Sequence, residues 1–195
     1  MLCPMGRWEP NARERLVRAA VDLFTEQGYD ATAVHEIAER AGLTKTTFFR
    51  HFTDKREVLF AAGQEVHSRL MADAIAAAPD SATPLQMVAA ALDAVTATFT
   101  EDRREFGARL RATIAENPEL QERAVFKRAG LAAAATAALH ERGVPDPAAG
   151  LAAELGVRAF EDAFMRWADP ANHQTFTDLG RQALDELRTA MATLE

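Results

Sequence analysis

Apolar residues recur at intervals of three and four along most of the chain, which is the period of an α-helix. Two such patterns within residues 31–55 are short and close together. The first starts at Val34, and the second carries Phe48 and Phe52 one turn apart. Gly42 lies between them, and a helix ends at least cost on a residue that lacks a Cβ. The segment therefore predicts two short helices joined by a tight turn, a helix-turn-helix.

The second short helix is expected to begin after Thr44, whose hydroxyl can accept a hydrogen bond from the first turn. From Arg40 to Arg56 the chain carries five basic residues and one acidic residue, Asp54, although its overall net charge is −7. A local positive patch on an acidic protein favours contact with phosphate. The second helix of a helix-turn-helix enters the DNA major groove in proteins that use it. The segment therefore predicts a nucleic-acid contact.

The rest of the chain shows the same helical period. Asp54 and Glu57 form a capping pair that opens a long helix to about Ala77. A capping residue followed by proline marks the start of three later helices, at Thr83-Pro84, Asn117-Pro118 and Asp146-Pro147. No strand pattern is visible, so the sequence predicts an all-α protein of about nine helices.

Charge divides the chain into two parts. Residues 1–58 contain equal numbers of basic and acidic residues, so the net charge of −7 belongs to residues 59–195. Because DNA repels an acidic surface, only the N-terminal part is expected to contact it. We therefore expect a helix-turn-helix DNA-binding domain over residues 1–58. Residues 59–195 are expected to form a helical ligand-binding and dimerisation domain.

The N-terminal part resembles a known family in both residue type and spacing. The matching residues are Arg13, Phe24, Gly28-Tyr29, Ile37-Ala38, Ala41-Gly42, Phe48, His51-Phe52 and Lys55. They resemble the N-terminal DNA-binding domain of TetR-family transcriptional regulators, whereas the rest of the chain is similar only in length and helical content. The resemblance implies a bacterial homodimer that binds double-stranded DNA at a palindromic operator. It also implies a repressor that a small-molecule effector releases from the operator.

The resemblance and the outer faces of the second short helix assign DNA contact to one set of residues: Thr44, Lys45, Thr46, Thr47, Phe49, Arg50, His51 and Lys55. For His51, packing against the neighbouring phenylalanines is the alternative. Three positions depart from the family pattern. Ala33 stands where a Ser or Thr usually caps the first short helix, and Thr46 where many members have Gly. Phe49 replaces a common Tyr, so it lacks a hydroxyl for a phosphate but can contact a thymine methyl group.

The last two predicted helices span residues 147–167 and 175–194 and are apolar on two faces. Each is therefore expected to pack against two different surfaces. One is the core, and the other is expected to be a twin subunit. Small residues on one face would allow the close approach of a four-helix bundle. The predicted dimer contacts are Ala152, Leu155, Gly156, Ala159, Ala163, Trp167, Ala183 and Leu187.

An effector site is expected among the apolar stripes of residues 85–131, which favours a hydrophobic or amphipathic small molecule. One of these stripes, on a helix from about residue 102, consists of Phe106, Leu110 and Ile114. The candidate ligand contacts are His67, Phe99, Phe106, Arg109 and Leu110. For His67 and Arg109 the alternative is a surface position with a buried stem.

Motifs for catalysis and metal binding are missing from the sequence. The stretch from His35 to Glu39 comes one histidine short of the HExxH motif of zinc hydrolases, and there is no GxSxG, P-loop or CxxC pattern. We therefore predict neither an enzyme nor a bound cofactor or metal. The alternative function is a helical small-molecule-binding or interaction protein that has lost operator binding.

The first residues predict a cytoplasmic protein, because residues 1–7 lack the apolar stretch of a signal peptide. The lone Cys3 cannot form a disulfide within the chain. Residues 1–10, with Arg7 and Trp8, look like a loose arm, and the resemblance to the family implies that such an arm contacts DNA; the alternative is a disordered tail. Asn11 is expected to cap the first helix.

Overall fold

The computed structural model describes residues 12–194 of the chain, apart from the side chains of residues 61, 62 and 64. The predicted roles of Cys3, of the arm with Arg7 and Trp8, and of the Asn11 cap lie outside the described residues. Within residues 12–194 no helix is long and apolar enough to cross a membrane.

The described residues form nine α-helices and one short 3₁₀ turn, Glu101–Arg103, without a β-strand among them. The helices are Ala12–Gln27 (α1), Val34–Arg40 (α2), Lys45–His51 (α3), Glu57–Ala77 (α4), Pro84–Thr96 (α5), Arg104–Glu116 (α6), Pro118–Glu141 (α7), Ala148–Trp167 (α8) and Phe176–Ala192 (α9). The all-α prediction is thus confirmed.

Two of the three predicted proline starts have the expected cap. The Thr83 hydroxyl accepts a hydrogen bond from the Gln86 amide at 3.3 Å, and the Gln86 side chain accepts one from the Thr83 amide at 2.8 Å. Asn117 Oδ1 accepts from the amides of Glu119 and Leu120 at 3.1 and 3.3 Å. Each cap satisfies backbone donors that have no partner inside the helix.

The third proline start was only partly right. α8 begins at Ala148 with Pro147 in the cap position and no side-chain cap. The predicted cap, Asp146, instead places its Oδ1 3.2 Å from His140 Nε2 at the end of α7. The proline does mark the helix start, but the carboxylate faces a neighbouring helix.

The chain forms two compact units that divide inside α4, between Ala62 and Gly63. We call residues 12–62 the head and residues 63–194 the body. The head core joins α1, α2, α3 and the first turn of α4 through the fully buried side chains of Leu16, Val21, Ile37, Phe48 and Val58. The domain boundary expected at residues 58/59 remains a proposal.

The body core is built around α5, α8 and α9. One cluster joins the end of α4 and α7 to α5 and α8, and a second joins α5, α8 and α9 around Trp167 and Phe176. The helices approach closely where glycine allows it. A Cβ on Gly156 would overlap the Val88 side chain, and one on Gly107 would lie 2.8 Å from a ring carbon of Trp167.

This packing corrects the predicted dimer contacts. Within the chain itself, the structure buries the predicted small-residue face together with its Trp: Ala152, Gly156, Ala159, Ala163, Trp167 and Ala183. These residues pack inside their own chain, so they present no surface to a partner. The other two predicted contacts, Leu155 and Leu187, are half-buried at the edge of the second cluster.

The predicted stripe on α6 is only partly buried. Phe106, Leu110 and Ile114 are half-buried, whereas the fully buried residues of α6 are Gly107 and Thr113. The reason is the close contact of Gly107 with Trp167, which turns the smallest residue of α6 toward the core.

Candidate nucleic-acid interface

The candidate interface is the outer face of α3. Thr44 caps the helix, because its hydroxyl accepts the Thr47 amide at 3.1 Å. Phe48 is completely buried, and Phe52 is nearly so, which anchors α3 in the head core. The opposite face is exposed and carries Lys45, Thr46, Phe49, Arg50 and His51, all of them predicted DNA contacts.

Lys45 and Phe49 lie one turn apart on this face and interact. The Lys45 ammonium lies 5.9 Å from the centroid of the Phe49 ring, within the range of a cation–π contact. Phe49 is 50% exposed although its edge packs on Phe48 at a centroid distance of 5.4 Å. The pair therefore presents an ammonium donor beside a large apolar surface, which suits a guanine edge next to a thymine methyl group.

Arg50 projects from the same helix. It is exposed and makes no hydrogen bond or ion pair with any residue that the structure describes. His51 is also exposed, with its ring 6.3 Å from that of Phe52. Guanidinium groups bind phosphate through paired N–H donors, so Arg50 is well suited to contact a nucleic-acid backbone.

The turn before α3 is held from α1. Gly42 has a φ of +65°, the left-handed conformation that favours glycine. The Arg15 guanidinium donates a hydrogen bond to the Ala41 carbonyl. It passes so close that a Cβ on Gly42 would lie 2.7 Å from Nη2. Glycine is therefore favoured here both by its backbone conformation and by the close approach of Arg15.

The other basic residues of the predicted patch are engaged within the head. Arg40 donates to both carboxylate oxygens of Glu26 at 2.9 and 2.7 Å, which ties α2 to α1. This hydrogen bond lowers the pKa of Glu26 and raises that of Arg40. Arg56 pairs with Asp54 at 3.0 Å. The positive charge on the outer face of α3 therefore comes from Lys45 and Arg50.

Lys55, a predicted DNA contact, faces the connection between α1 and α2. Its ammonium donates to the carbonyls of Tyr29 and Thr32 at 2.6 and 3.0 Å and lies 4.0 Å from the centroid of the Tyr29 ring. The structure thus gives Lys55 a role inside the head that sequence reasoning missed. Its contact with DNA phosphate remains a prediction.

The start of α2 shows how the chain manages without a capping hydroxyl at Ala33. Glu36 reaches back, and its Oε2 accepts the Ala33 amide at 2.7 Å. This hydrogen bond is the largest cause of a lowered pKa at Glu36, and a hydrogen bond from Gln27 lowers the pKa further. The hydroxyl of Thr32, one residue earlier, does not cap the helix, because it donates to the Gly28 carbonyl at 2.8 Å. Glu36 therefore supplies half of a capping box, and the other half is missing.

Asp54 caps α4 as predicted. Its Oδ1 accepts the amides of Arg56 and Glu57 at 2.8 and 3.1 Å. Burial alone would raise the pKa of Asp54, but the hydrogen bonds from Arg56 and Glu57 outweigh it and leave the pKa lowered. The start of α4, directly after α3, is therefore fixed.

The predicted effector residues fall on different parts of the body. His67 and Phe99 come together, with ring centroids 5.4 Å apart, beside a cluster of aromatic rings formed by Phe99, Phe160, Phe164, Trp167 and Phe176. Burial lowers the pKa of His67, which favours the neutral imidazole. Phe106, Arg109 and Leu110 are half-buried on α6. Sequence reasoning missed the three aromatic residues of α8 as a group, because only Trp167 stands out there, as a predicted dimer contact.

A separate groove of about 440 Å³ runs between α7 and α8. Four of its eight lining residues are alanine, and His140 and Glu154 are the ionisable members. Among the residues that the structure describes there is no cluster of three or more potential metal ligands. The groove thus offers a small apolar surface and no evident chemistry.

Comparison with known proteins points to one family. The family described as "Bacterial regulatory proteins, tetR family" matches residues 16–62. The transcriptional regulator TcmR of Streptomyces glaucescens is 39% identical over 83 residues, which cover 43% of this chain and 36% of TcmR. The transcriptional activator FasR of Mycolicibacterium smegmatis is 40% identical over 52 residues, 27% of this chain and 24% of FasR. The matches thus span well under half the length of these relatives.

Similarity in fold extends over most of the chain. The regulator FadR from Bacillus subtilis, solved in complex with stearoyl-CoA, superposes with a TM-score of 0.60 at 18% identity. The match covers 89% of this chain and 96% of FadR. At this identity the likeness concerns the fold alone. Residues 16–62 thus match the N-terminal domain of the tetR family of bacterial regulatory proteins, and most of the chain shares the all-helical fold of FadR.

Proposed function

We propose that this chain is a DNA-binding transcriptional regulator whose α3 reads operator DNA. The observation that carries the proposal is the outer face of α3. A helix capped by Thr44 and anchored by Phe48 presents Lys45, Phe49 and Arg50 side by side, with no acidic residue among them. Direct readout needs donors and apolar groups on one exposed helix, and phosphate contact needs cations beside them.

Selection of binding sites from a random DNA pool tests this function. The full-length protein is expected to enrich a palindromic duplex whose half-sites lie about one helical turn apart, or a multiple of it. A gel shift with the enriched duplex and with the DNA upstream of the protein's own gene follows. Recovery of no common sequence after repeated rounds would contradict the proposal.

The second candidate is a helical binding or interaction protein that has lost operator binding. It is favoured by the engagement of Arg40 and Lys55 inside the head and by the missing hydroxyl of Phe49. The same selection separates the two functions, because a protein of the second kind would enrich nothing. The positive face formed by Lys45 and Arg50 leads us to favour the first.

We propose that the regulator acts as a homodimer through the outer faces of α8 and α9. Each helix leaves large apolar side chains in solvent: Leu151 and Met165 of α8 are 62% and 51% exposed, and Met191 of α9 is exposed, as is Leu194 just after α9. The half-buried Leu155 and Leu187 remain candidate contacts. A Leu151→Glu variant should sediment as a weaker dimer than the wild-type protein. An equally tight dimer would exclude Leu151 from the interface.

We further propose that a hydrophobic or amphipathic effector controls DNA affinity from the body. Support comes from the aromatic cluster and the neutral His67, which offer apolar surface and one hydrogen-bonding group. Fatty acyl-CoA thioesters are reasonable first compounds to test, given the ligand of FadR. A repressor released by such an effector is the expected form, although FasR is an activator, so the direction of regulation needs its own assay.

The coupling free energy required between effector binding and DNA binding is modest. A 100-fold loss of DNA affinity corresponds to about 2.7 kcal/mol, within the usual range for allosteric proteins. By thermodynamic reciprocity, DNA must weaken the effector by the same factor. Titrating a candidate compound with and without the selected duplex measures this directly. Equal affinity in both titrations would exclude that compound as an effector, however tightly it bound.

A further inference from the structure

A single side chain from the end of α7 holds the last turn of α4. Arg142 Nη1 donates to the carbonyls of Ile75, Ala76 and Ala78 at 2.8, 2.9 and 2.7 Å. Arg142 Nη2 lies 3.3 Å from both the Pro79 carbonyl and a carboxylate oxygen of Asp80. The Arg142 side chain is only 16% exposed. One guanidinium group thus donates hydrogen bonds to several backbone carbonyls at the end of α4.

These contacts fix the helix end by two physical effects. The last carbonyls of an α-helix have no partner within the helix, so donors from elsewhere must satisfy them. A cation at this end also interacts favourably with the negative pole of the helix dipole. The same turn is packed as well, because Ile75 is completely buried in the first body cluster. The end of α4 is therefore held by both polar and apolar contacts within the body.

The start of the same helix belongs to the head. α4 begins at Glu57, directly after the Asp54 cap, and Val58 is completely buried in the head core. A helix is stiff over its length, so the freedom of one end to reorient depends on how firmly the other end is held. Arg142 is the polar part of that hold, and it comes from outside α4.

We propose that Arg142 is a positioning residue for DNA binding, which limits the directions that α4 can take from the body and so the separation of two heads in a dimer. The inference rests on the proposed function, since it concerns a dimer that binds two half-sites. Arg142 is proposed to act through α4 and not by contacting DNA itself. Its effect is on how strictly the protein demands one half-site spacing.

Half-site spacing distinguishes this role from a merely stabilising one. Inserting or removing one base pair shifts a half-site by about 3.4 Å and turns it by about 35°, since one helical turn of 10–10.5 base pairs rises 34–36 Å. If α4 is firmly held, the head cannot move to the shifted half-site and affinity falls. If α4 is loosely held, the head can reorient and more of the affinity is kept. A reduction of folding stability alone lowers the active fraction equally for every spacing.

The experiment compares three full-length proteins on duplexes that carry the selected half-sites at five successive spacings. Arg142→Gln removes the charge and most of the donors. Arg142→Lys keeps the charge with fewer donors and replaces the Gln variant if that variant does not fold. Arg181→Gln is the matched control, because Arg181 also bridges two body elements, donating to Asp93 at 2.9 Å, but does not touch α4. Thermal unfolding of each variant records the change in stability separately.

Wild-type protein and Arg181→Gln should lose on the order of 10-fold in affinity when the optimal spacing changes by one base pair, a typical size for a coupled effect. Arg142→Gln should lose less than about 3-fold, and Arg142→Lys should lie between. Two results would overturn this inference but leave the proposed function standing. One is an Arg142 variant that loses as much affinity as the wild type when the spacing changes. The other is an Arg181→Gln control that loses as little as Arg142→Gln. Failure of the wild-type protein to bind any duplex would overturn the proposed function, and this inference with it.

Discussion

The Lys55 ammonium lies 2.6 Å from the Tyr29 carbonyl oxygen and 4.0 Å from the centroid of the Tyr29 ring. Tyr29 is itself buried against Phe24, with centroids 5.1 Å apart. A residue just after α3 is thereby joined to the loop that leads into α2. The contact makes Lys55 part of the scaffold that orients the helix-turn-helix.

Replacing Lys55 with Ala should therefore destabilise the head. The carbonyls of Tyr29 and Thr32 would lose a charged donor, which costs about 1–3 kcal/mol for a hydrogen bond of this kind. Urea unfolding of the Lys55→Ala variant measures this destabilisation, and Lys45→Ala, which removes an exposed cation from the same head, is the control. Equal stability of the Lys55→Ala variant and the wild type would contradict the structural role.

Phe49 should recognise a thymine methyl group in the operator. Replacing one thymine with uracil removes only that methyl, so affinity should fall by about 1 kcal/mol at the position that Phe49 contacts, near the low end for a base contact. The Phe49→Ala variant should show no difference between the two duplexes. A uracil effect that persists in Phe49→Ala would place the methyl against another side chain.

Helix period and caps made most of the fold predictable. The starts of α5 and α7 could be located because Thr83 and Asn117 act within their own helices, through hydrogen bonds that span two or three residues. The buried and exposed faces of α3 were predictable for the same reason. Local signals of this kind do not depend on how the helices pack.

The rest depends on contacts between residues far apart in the chain. The partners of Lys55 lie in the loop before α2, and Glu26, the partner of Arg40, lies in α1. The small-residue face of α8 favours close packing, but the sequence pattern is the same whether the neighbour belongs to one chain or to its twin. Here Val88 of the same chain fills that place against Gly156.

Two glycines allow the contact between Arg15 and the turn to be measured. Gly42 and Gly28 both have positive φ values, +65° and +87°, but a Cβ at Gly28 would meet nothing within 4 Å. Gly28→Ala should therefore cost only backbone strain, about 1–2 kcal/mol. Gly42→Ala should cost about 1 kcal/mol more, because it also displaces the Arg15 guanidinium from the Ala41 carbonyl. Urea unfolding of both variants checks this. Equal destabilisation by the two substitutions would mean that Arg15 contributes nothing.

His67 should make the body less stable in acid. Burial lowers the pKa of the folded-state imidazole below 6.5, so the unfolded chain binds more protons in the window below about pH 6.5. Stability from this group is complete above that pH and is lost as the pH falls through the folded-state pKa. The free energy of unfolding of a His67→Phe variant should therefore depend less on pH between about 5 and 7 than that of the wild type. His173→Phe, at an exposed position, is the control, and a His67→Phe profile parallel to the wild type would refute the prediction.

The most direct test of the central claim is the ratio of affinities for the selected duplex and for a scrambled duplex of the same composition, at about 150 mM salt. Wild-type protein should prefer the selected duplex by roughly 10³-fold or more, the usual range for specific DNA binding. Arg50→Ala should weaken binding to both duplexes and reduce the log–log salt slope by about two per dimer, because each subunit then neutralises one phosphate fewer. Lys45→Ala should reduce the ratio itself. Equal affinity of the wild-type protein for the two duplexes would contradict the account.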